Sequence, residues 1–140
     1  MIKRQRLILL FIALLASPSQ AGVVVIVNAE NTASDFSQRQ LVDLYMGRNL
    51  YFPNGQLALR LDQSPSSEIR RTFYESLVGK SVAQVNAYWA RLLFTGRASP
   101  PQVIRTSKGL LQAIKNNPNA VGYIDEKELE DGVKVIARVN

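Results

Sequence analysis

The sequence predicts an α/β fold, a single three-layer lobe in which helices cover both faces of a mainly parallel sheet. A run of β-branched apolar residues at 23–27 has the composition of a strand that is buried on both faces. Beyond it, strand-like segments alternate with segments of helical spacing in the order β-α-β-α-α-β-α-β-β. Alternation of this kind is typical of helices packed on a largely parallel sheet.

The first strand is expected in the interior of the sheet and parallel to its neighbours. Ser37 followed by Gln40 forms a capping-box pattern that opens the first helix, and Gly47 ends it. The second strand is expected at 57–61, where apolar residues surround one arginine. The aromatic pair at 51–52, in the preceding loop, is expected to anchor that loop to the core.

The second helix is expected to begin with Ser64 at the N-cap and Pro65 at its first position, and to end at Gly79. A third helix follows, opened by another capping-box pattern at 81–84 and carrying Trp89 in the core. The remaining elements are a strand at 103–104, a helix capped by Thr106 or Ser107, and strands at 121–124 and 133–139.

The first 21 residues have the layout of a secretory signal peptide. Basic residues at 3, 4 and 6 precede an uncharged apolar run from 7 to 16, and small residues at 19 and 21 offer a cleavage site after Ala21. The apolar run is too short to span the ~30 Å hydrocarbon core of a bilayer. We therefore expect export to the periplasm and a mature chain, residues 22–140, that forms one domain. Loss of the leader would lower the formal net charge from +6 to +3.

Two absences from the sequence limit its chemistry. The chain has no cysteine and no histidine, which excludes disulfides, thiol nucleophiles, Ser-His-Asp triads and the usual zinc sites. No close pair of carboxylates stands out for acid–base work, so we expect a binding protein without a cofactor rather than an enzyme. The mild positive charge does not favour nucleic acid as a partner.

An acidic segment near the C-terminus is the one candidate metal site in the sequence. It lacks the alternating ligands and the glycine of an EF-hand calcium loop, so we expect an exposed acidic turn. Its members are Asp125, Glu126, Glu128, Glu130 and Asp131.

The stretch from Arg60 to Ser67 concentrates the candidate binding residues. Arg60 and Asp62 stand two apart on a predicted strand, so they would share one face and Asp62 would orient the arginine. Ser64, Ser66 and Ser67 follow at the start of a predicted helix. Helix N-termini attract anions, an arginine fork matches a phosphate edge, and ligands of open α/β sheets collect at the carboxyl ends of strands. The pattern predicts an oxyanion site made of these five residues.

A purely structural interpretation of the same segment stays open. Ser64 would then only cap a helix, Arg60 would lie at the surface and Asp62 would form a turn. Arg70 and Arg71 have the same two interpretations, since they would either line a solvated helix face or attract an anionic partner.

The segment resembles the R-x-D-G-S-G-T motif of phosphate-binding proteins of ATP-driven uptake systems. The Arg, Asp, Ser and Thr of that motif correspond to Arg60, Asp62, Ser64 and Ser66. Gln63 and Pro65 replace glycines of the motif. The similarity continues along most of the mature chain, through segments at 27–28, 41–47, 51–55, 80–84, 88–91, 94–96 and 120–124.

This resemblance implies the type II periplasmic binding protein fold, shortened to one lobe, and recognition of phosphate or a related oxyanion for transport or sensing. Two-lobed relatives hold phosphate between their lobes, so this chain would supply half of such a site. A second copy in a homodimer would supply the other wall, and a membrane transporter or sensor would be the protein partner. The alternative is an accessory module of the cell envelope that keeps the fold without tight ligand binding. Pro65, which has no N–H to donate, favours that alternative.

Overall fold

The protein is described by a computed structural model over residues 22–34 and 36–139, and the predicted signal peptide lies outside these ranges. Within them the elements follow the predicted order. They are β1 (Val23–Asn28), α1 (Gln38–Tyr45), β2 (Leu59–Asp62), α2 (Glu68–Val78), α3 (Val82–Thr95), β3 (Gln102–Val103), α4 (Ser107–Asn116), β4 (Ala120–Asp125) and β5 (Val133–Val139). A 3-10 helix, Glu126–Glu128, stands between β4 and β5.

The five strands form one mixed sheet with the order β3-β2-β4-β1-β5. Strand β2 pairs in parallel with β3 and β4, whereas β1 pairs antiparallel with β4 and β5. Four strands therefore run in one direction, and β1 runs against them. The predicted interior position of β1 is confirmed, but its predicted parallel direction is wrong. A strand buried on both faces is apolar whichever way it runs, so its composition does not encode its direction.

The side chains of β1 show how the layers are arranged. Val23, Val25 and Val27 pack in one apolar cluster with residues of α1, α2 and α3. Val24 and Ile26 pack in a second cluster with residues of α4. Helices thus cover both faces of the sheet, which confirms the three-layer prediction. Since α2 follows β2 on one face and α4 follows the adjacent β3 on the other, the carboxyl end of β2 is a topological switch point, where open α/β sheets bind ligands.

The helix signals that depend on local sequence are confirmed. Both predicted capping boxes form, with Ser37 and Ser81 each accepting from the backbone N–H three residues on. Thr106 caps α4. Gly79 and Gly96 follow α2 and α3 in the left-handed conformation that glycine adopts readily.

The start of α2 differs from the prediction. Ser67, not Ser64, is its N-cap and accepts from the Arg70 N–H, so the helix begins three residues later than expected. Ser64 to Ser67 form a turn closed by a 2.9 Å hydrogen bond from the Ser67 N–H to the Ser64 carbonyl. Pro65 is favoured both at the second position of a β-turn and at the first position of a helix, so the sequence pattern suited both.

Three predictions about which residues are buried or exposed have mixed outcomes. Trp89 is buried, as expected, and its ring closes over Gly47, where an added Cβ would lie 2.8 Å from the ring. Phe52 anchors its loop in the core, but Tyr51 is 55% exposed. The acidic segment is exposed at Glu126 and around it, as predicted. No helix of the described ranges is long and apolar enough to cross a membrane.

Candidate functional site

The predicted site lies where β2 ends and the chain turns towards α2. The Asp62 carbonyl accepts the Ile104 N–H at 2.9 Å, so the end of β2 stays paired with the chain that leads from β3 into α4. All five predicted residues lie on this strand end and on the turn that follows it. In the absence of a ligand, their contacts within the protein divide them into three groups.

The Asp62 carboxylate is the centre of the first group and is buried. Its Oδ2 accepts the Tyr74 hydroxyl at 2.7 Å and lies 3.5 Å from Arg70 Nε. Its Oδ1 accepts the Gln63 N–H at 2.8 Å and the Tyr123 hydroxyl. Both oxygens are therefore satisfied within the protein, and Asp62 joins β2, α2 and β4 in one polar network.

The expected pairing of Asp62 with Arg60 is wrong. The two side chains do share one face of the sheet, since Leu61 between them packs in the opposite cluster with α4. Asp62 nevertheless pairs with Arg70, which the first turn of α2 carries over the strand end. Arg70 is buried and also donates to the Asn86 side chain at 3.1 Å, whereas Arg71 is exposed and pairs with Glu68. The solvated interpretation therefore holds for Arg71 and fails for Arg70.

Arg60 forms the second group and is only 8% exposed, so the predicted surface alternative for it is wrong. Its guanidinium donates to the Ser99 carbonyl at 2.8 Å and to the Leu44 carbonyl at 3.4 Å, and it lies 5.8 Å from the Trp89 ring centre. Within the described ranges no carboxylate lies within 4.0 Å of it. Burial lowers the pKa of Arg60, yet arginine remains charged in proteins. Arg60 is thus a buried cation without a counter-ion from the described residues.

The serines of the turn form the third group. Ser64 Oγ and Ser66 Oγ lie 3.3 Å apart near the surface. Ser67 Oγ donates to Gln63 Oε1 at 2.7 Å, so its proton is already used. Across the part of the chain that the structure describes, the backbone N–H groups of Ser64 and Ser66 find no acceptor. The two amides are therefore available at this turn, and the two hydroxyls share one long hydrogen bond that a charged acceptor would replace.

Four residues of the network were missed by the sequence prediction: Gln63, Arg70, Tyr74 and Tyr123. Gln63 replaces a motif glycine, and its side chain donates to the Tyr123 carbonyl at 2.8 Å while accepting from Ser67. The tyrosines occupy positions in apolar patterns, where a hydroxyl signals a buried acceptor. That signal was present in the sequence, but the identity of the acceptor depends on how the elements pack.

The buried tyrosines predict a marked loss of stability in alkali. Burial, with the charge of Asp62 as a further cause, raises the pKa of Tyr45, Tyr74 and Tyr123 above the ordinary value of 10.0. Because the pKa of each tyrosine is higher in the folded than in the unfolded state, its contribution to the free energy of unfolding is fully present below about pH 10. Above that pH the free energy of unfolding falls by about 1.4 kcal/mol per pH unit for each such tyrosine. We expect urea midpoints to drop steeply above that pH.

The control for this pH dependence is Tyr74→Phe, which removes one buried hydroxyl and leaves the lysines unchanged. The slope of unfolding free energy against pH, measured above pH 10, should be shallower in the variant by about 1.4 kcal/mol per pH unit. Equal slopes in the two proteins would contradict the assignment.

Three solved structures share this arrangement of strands and helices. The first is an ABC-type phosphate transport receptor from Vibrio cholerae, with 19% identity, a TM-score of 0.67, and coverage of 83% of this chain and 45% of the other. The second, from Clostridium perfringens, is described as a phosphate ABC transporter substrate-binding protein with bound phosphate, with 20% identity, a TM-score of 0.66, and coverage of 83% and 44%. The third is PstS from Borrelia burgdorferi, with 12% identity, a TM-score of 0.63, and coverage of 84% and 47%.

These likenesses establish the fold. The chain has the type II periplasmic binding protein fold of one lobe. It spans less than half the length of each of the three structures. No protein-family model matches the chain, and no curated protein matches it. Two of the structural neighbours are described as phosphate receptors or substrate-binding proteins and not as enzymes.

Proposed function

We propose that the protein is a periplasmic solute-binding protein without enzymatic activity that recognises phosphate or a related oxyanion for transport or sensing. The observation that supports this most strongly is Arg60, a buried cation with no carboxylate partner among the described residues. Buried charges in proteins are normally paired, because an isolated charge in a low-dielectric interior is costly. An oxyanion ligand would supply the missing counter-ion.

In this proposal the anion replaces the backbone carbonyls to which the Arg60 guanidinium donates. A neutral carbonyl such as that of Ser99 is a weaker acceptor for guanidinium than a charged oxygen, so phosphate would displace it. Ser64 and Ser66 would donate their hydroxyls and N–H groups from the turn. Ser67 would act through the N-terminus of α2, which it caps. Asp62 would be a positioning residue, since its oxygens already hold α2 and β4 against the strand end.

The chain spans less than half of the length of its phosphate-binding structural neighbours, and in this proposal the anion also contacts a second wall. We propose that a second copy of the chain, or a membrane transporter or sensor, supplies the other wall. Sedimentation of the protein with and without phosphate separates these routes. Phosphate-dependent dimers would assign the wall to a second copy, and monomers that still bind phosphate tightly would leave the membrane protein as the partner.

The proposal is tested by calorimetric titration of the exported protein with phosphate and then sulfate at low salt. We expect saturable binding in the micromolar range, which corresponds to about −8 kcal/mol. Trp89 is the single tryptophan of the chain and lies against Arg60, so its fluorescence should change with the same midpoint. No heat and no fluorescence change at millimolar anion would contradict the proposal.

The matched variant for the turn is Ser64→Ala combined with Ser66→Ala. Loss of two hydroxyl donors to a charged ligand should weaken binding by roughly a hundredfold, at about 1.5 kcal/mol for each hydrogen bond. Ser107→Ala, at the start of α4, is the control and should bind with unchanged affinity. Equal affinities in both variants would remove the turn from the site.

The second candidate function is an accessory module of the cell envelope. It is favoured by the internal satisfaction of Asp62 and Ser67, whose polar atoms need no ligand. In this case the titrations would be silent, and the protein immobilised on a support would retain a specific protein from solubilised membranes.

A further inference from the structure

The outer face of α3 carries apolar side chains that the fold leaves uncovered. Phe94 is 94% exposed and Leu93 is 53% exposed at the end of this helix. Phe94 continues a stripe of small exposed residues at helical spacing, formed by Ala83, Ala87 and Ala90. By contrast, only Val85 and Trp89 of the helix are buried. We call Arg91, Leu93, Phe94 and Arg97 the α3 patch.

The charged residues of the sequence segment that contains the α3 patch have one sign. Between Glu75 and Asp125 the sequence contains no acidic residue. Neither Arg91 nor Arg97 belongs to an ion pair within the ranges that the structure describes. The basic residues of this interval are Lys80, Arg91, Arg97, Arg105, Lys108 and Lys115. The exposed apolar end of α3 therefore lies in a sequence segment in which every charged side chain is basic.

We infer that the α3 patch docks on the surface of an anionic lipid bilayer. Phe94 projects almost entirely from the protein, and such a side chain enters the soft boundary between headgroups and acyl chains without needing a preformed pocket. Arg91 and Arg97 are exposed and stand three residues before and after it in the sequence. Arginines at a membrane surface reach towards anionic headgroups while their stems lie on the apolar layer. An acidic protein partner would match the charge but would also need a cavity shaped for Phe94.

This docking surface consists of other residues than the proposed oxyanion site, although both would recognise phosphate groups. The α3 patch would bind lipid headgroups through a surface, whereas Arg60 would bind free phosphate in a buried position. Lipid binding should therefore persist in Arg60→Gln, and it should be unchanged by free phosphate at constant ionic strength. Failure of one proposal leaves the other intact.

The experiment is flotation of the exported protein with two kinds of vesicle. One kind contains phosphatidylcholine alone, and the other contains phosphatidylcholine and phosphatidylglycerol in equal parts. We expect binding to the anionic vesicles, weakened by salt. Phe94→Ser should weaken it roughly tenfold, since it removes the inserted ring. Arg91→Gln and Arg97→Gln should each weaken it roughly fivefold. Leu57→Ser is the control, because Leu57 is 56% exposed but lies outside the α3 patch.

Several results would overturn the inference. Equal binding to neutral and anionic vesicles would exclude attraction between the arginines and anionic headgroups. Unchanged binding of Phe94→Ser would exclude the ring as the anchor. Binding lost equally in Leu57→Ser would show a non-specific apolar effect. Retention by native membranes but not by protein-free vesicles would assign the α3 patch to an acidic protein instead.

Discussion

Asp62→Ala is expected to lower the free energy of unfolding by about 3–5 kcal/mol, the usual effect of leaving one partner of a buried ion pair uncompensated. The substitution leaves the buried Arg70 without its carboxylate partner and removes the acceptor of two tyrosine hydroxyls. Urea unfolding followed by Trp89 fluorescence measures the loss. Asp43→Asn is the control, because Asp43 pairs with Arg48 at the surface and should cost no more than about 1 kcal/mol.

Should Asp62→Ala fail to fold, the combination of Asp62→Asn with Arg70→Met tests the same network. Asp62→Asn alone leaves the charge of Arg70 buried without a carboxylate, whereas the double variant removes both charges. The double variant should therefore be more stable than Asp62→Asn alone. A double variant that is less stable than Asp62→Asn would show that Arg70 does not depend on Asp62. That outcome would remove the ion pair from the account of the site.

Arg60→Gln is expected to weaken phosphate binding by more than about a hundredfold. The glutamine amide still donates to a backbone carbonyl, but it offers no charge to the anion, and a charge-assisted arginine pair contributes about 3 kcal/mol. Calorimetric titration of the variant checks this result. Arg71→Gln carries the same change of charge at an exposed position and should bind within about twofold of the original protein.

The stability of Arg60→Gln in the absence of anion separates a binding role from a structural one. Replacing Arg60 leaves no buried carboxylate of the described residues without its ionic partner. The free energy of unfolding should therefore fall much less than in Asp62→Ala. A large loss of stability with unchanged phosphate affinity would assign Arg60 to the support of α1 and the loop at Ser99.

Some features of the fold could be predicted because they depend on neighbours in the sequence. A capping box joins residues three apart, so Ser37 and Ser81 could be assigned without knowing what the helices pack against. The same local rule failed at the start of α2, where Ser64 and Ser67 are both good caps. The strand end ties Gln63 to Tyr123, and that long-range contact favours the turn and the later cap.

Three features could be predicted from the sequence alone: the order of elements, the three-layer class and the segment from Arg60 to Ser67 that carries the candidate site. The antiparallel direction of β1 and the pairing of Asp62 with Arg70 became clear only from the tertiary structure, which leaves Arg60 without a carboxylate partner among the described residues. This difference arises because the polarity of each side chain is fixed by its own chemistry, so the spacing of apolar residues indicates which faces are buried. Strand direction and the choice of ionic partner depend on which distant elements meet, and α2 and β4 close on Asp62 from positions far along the chain.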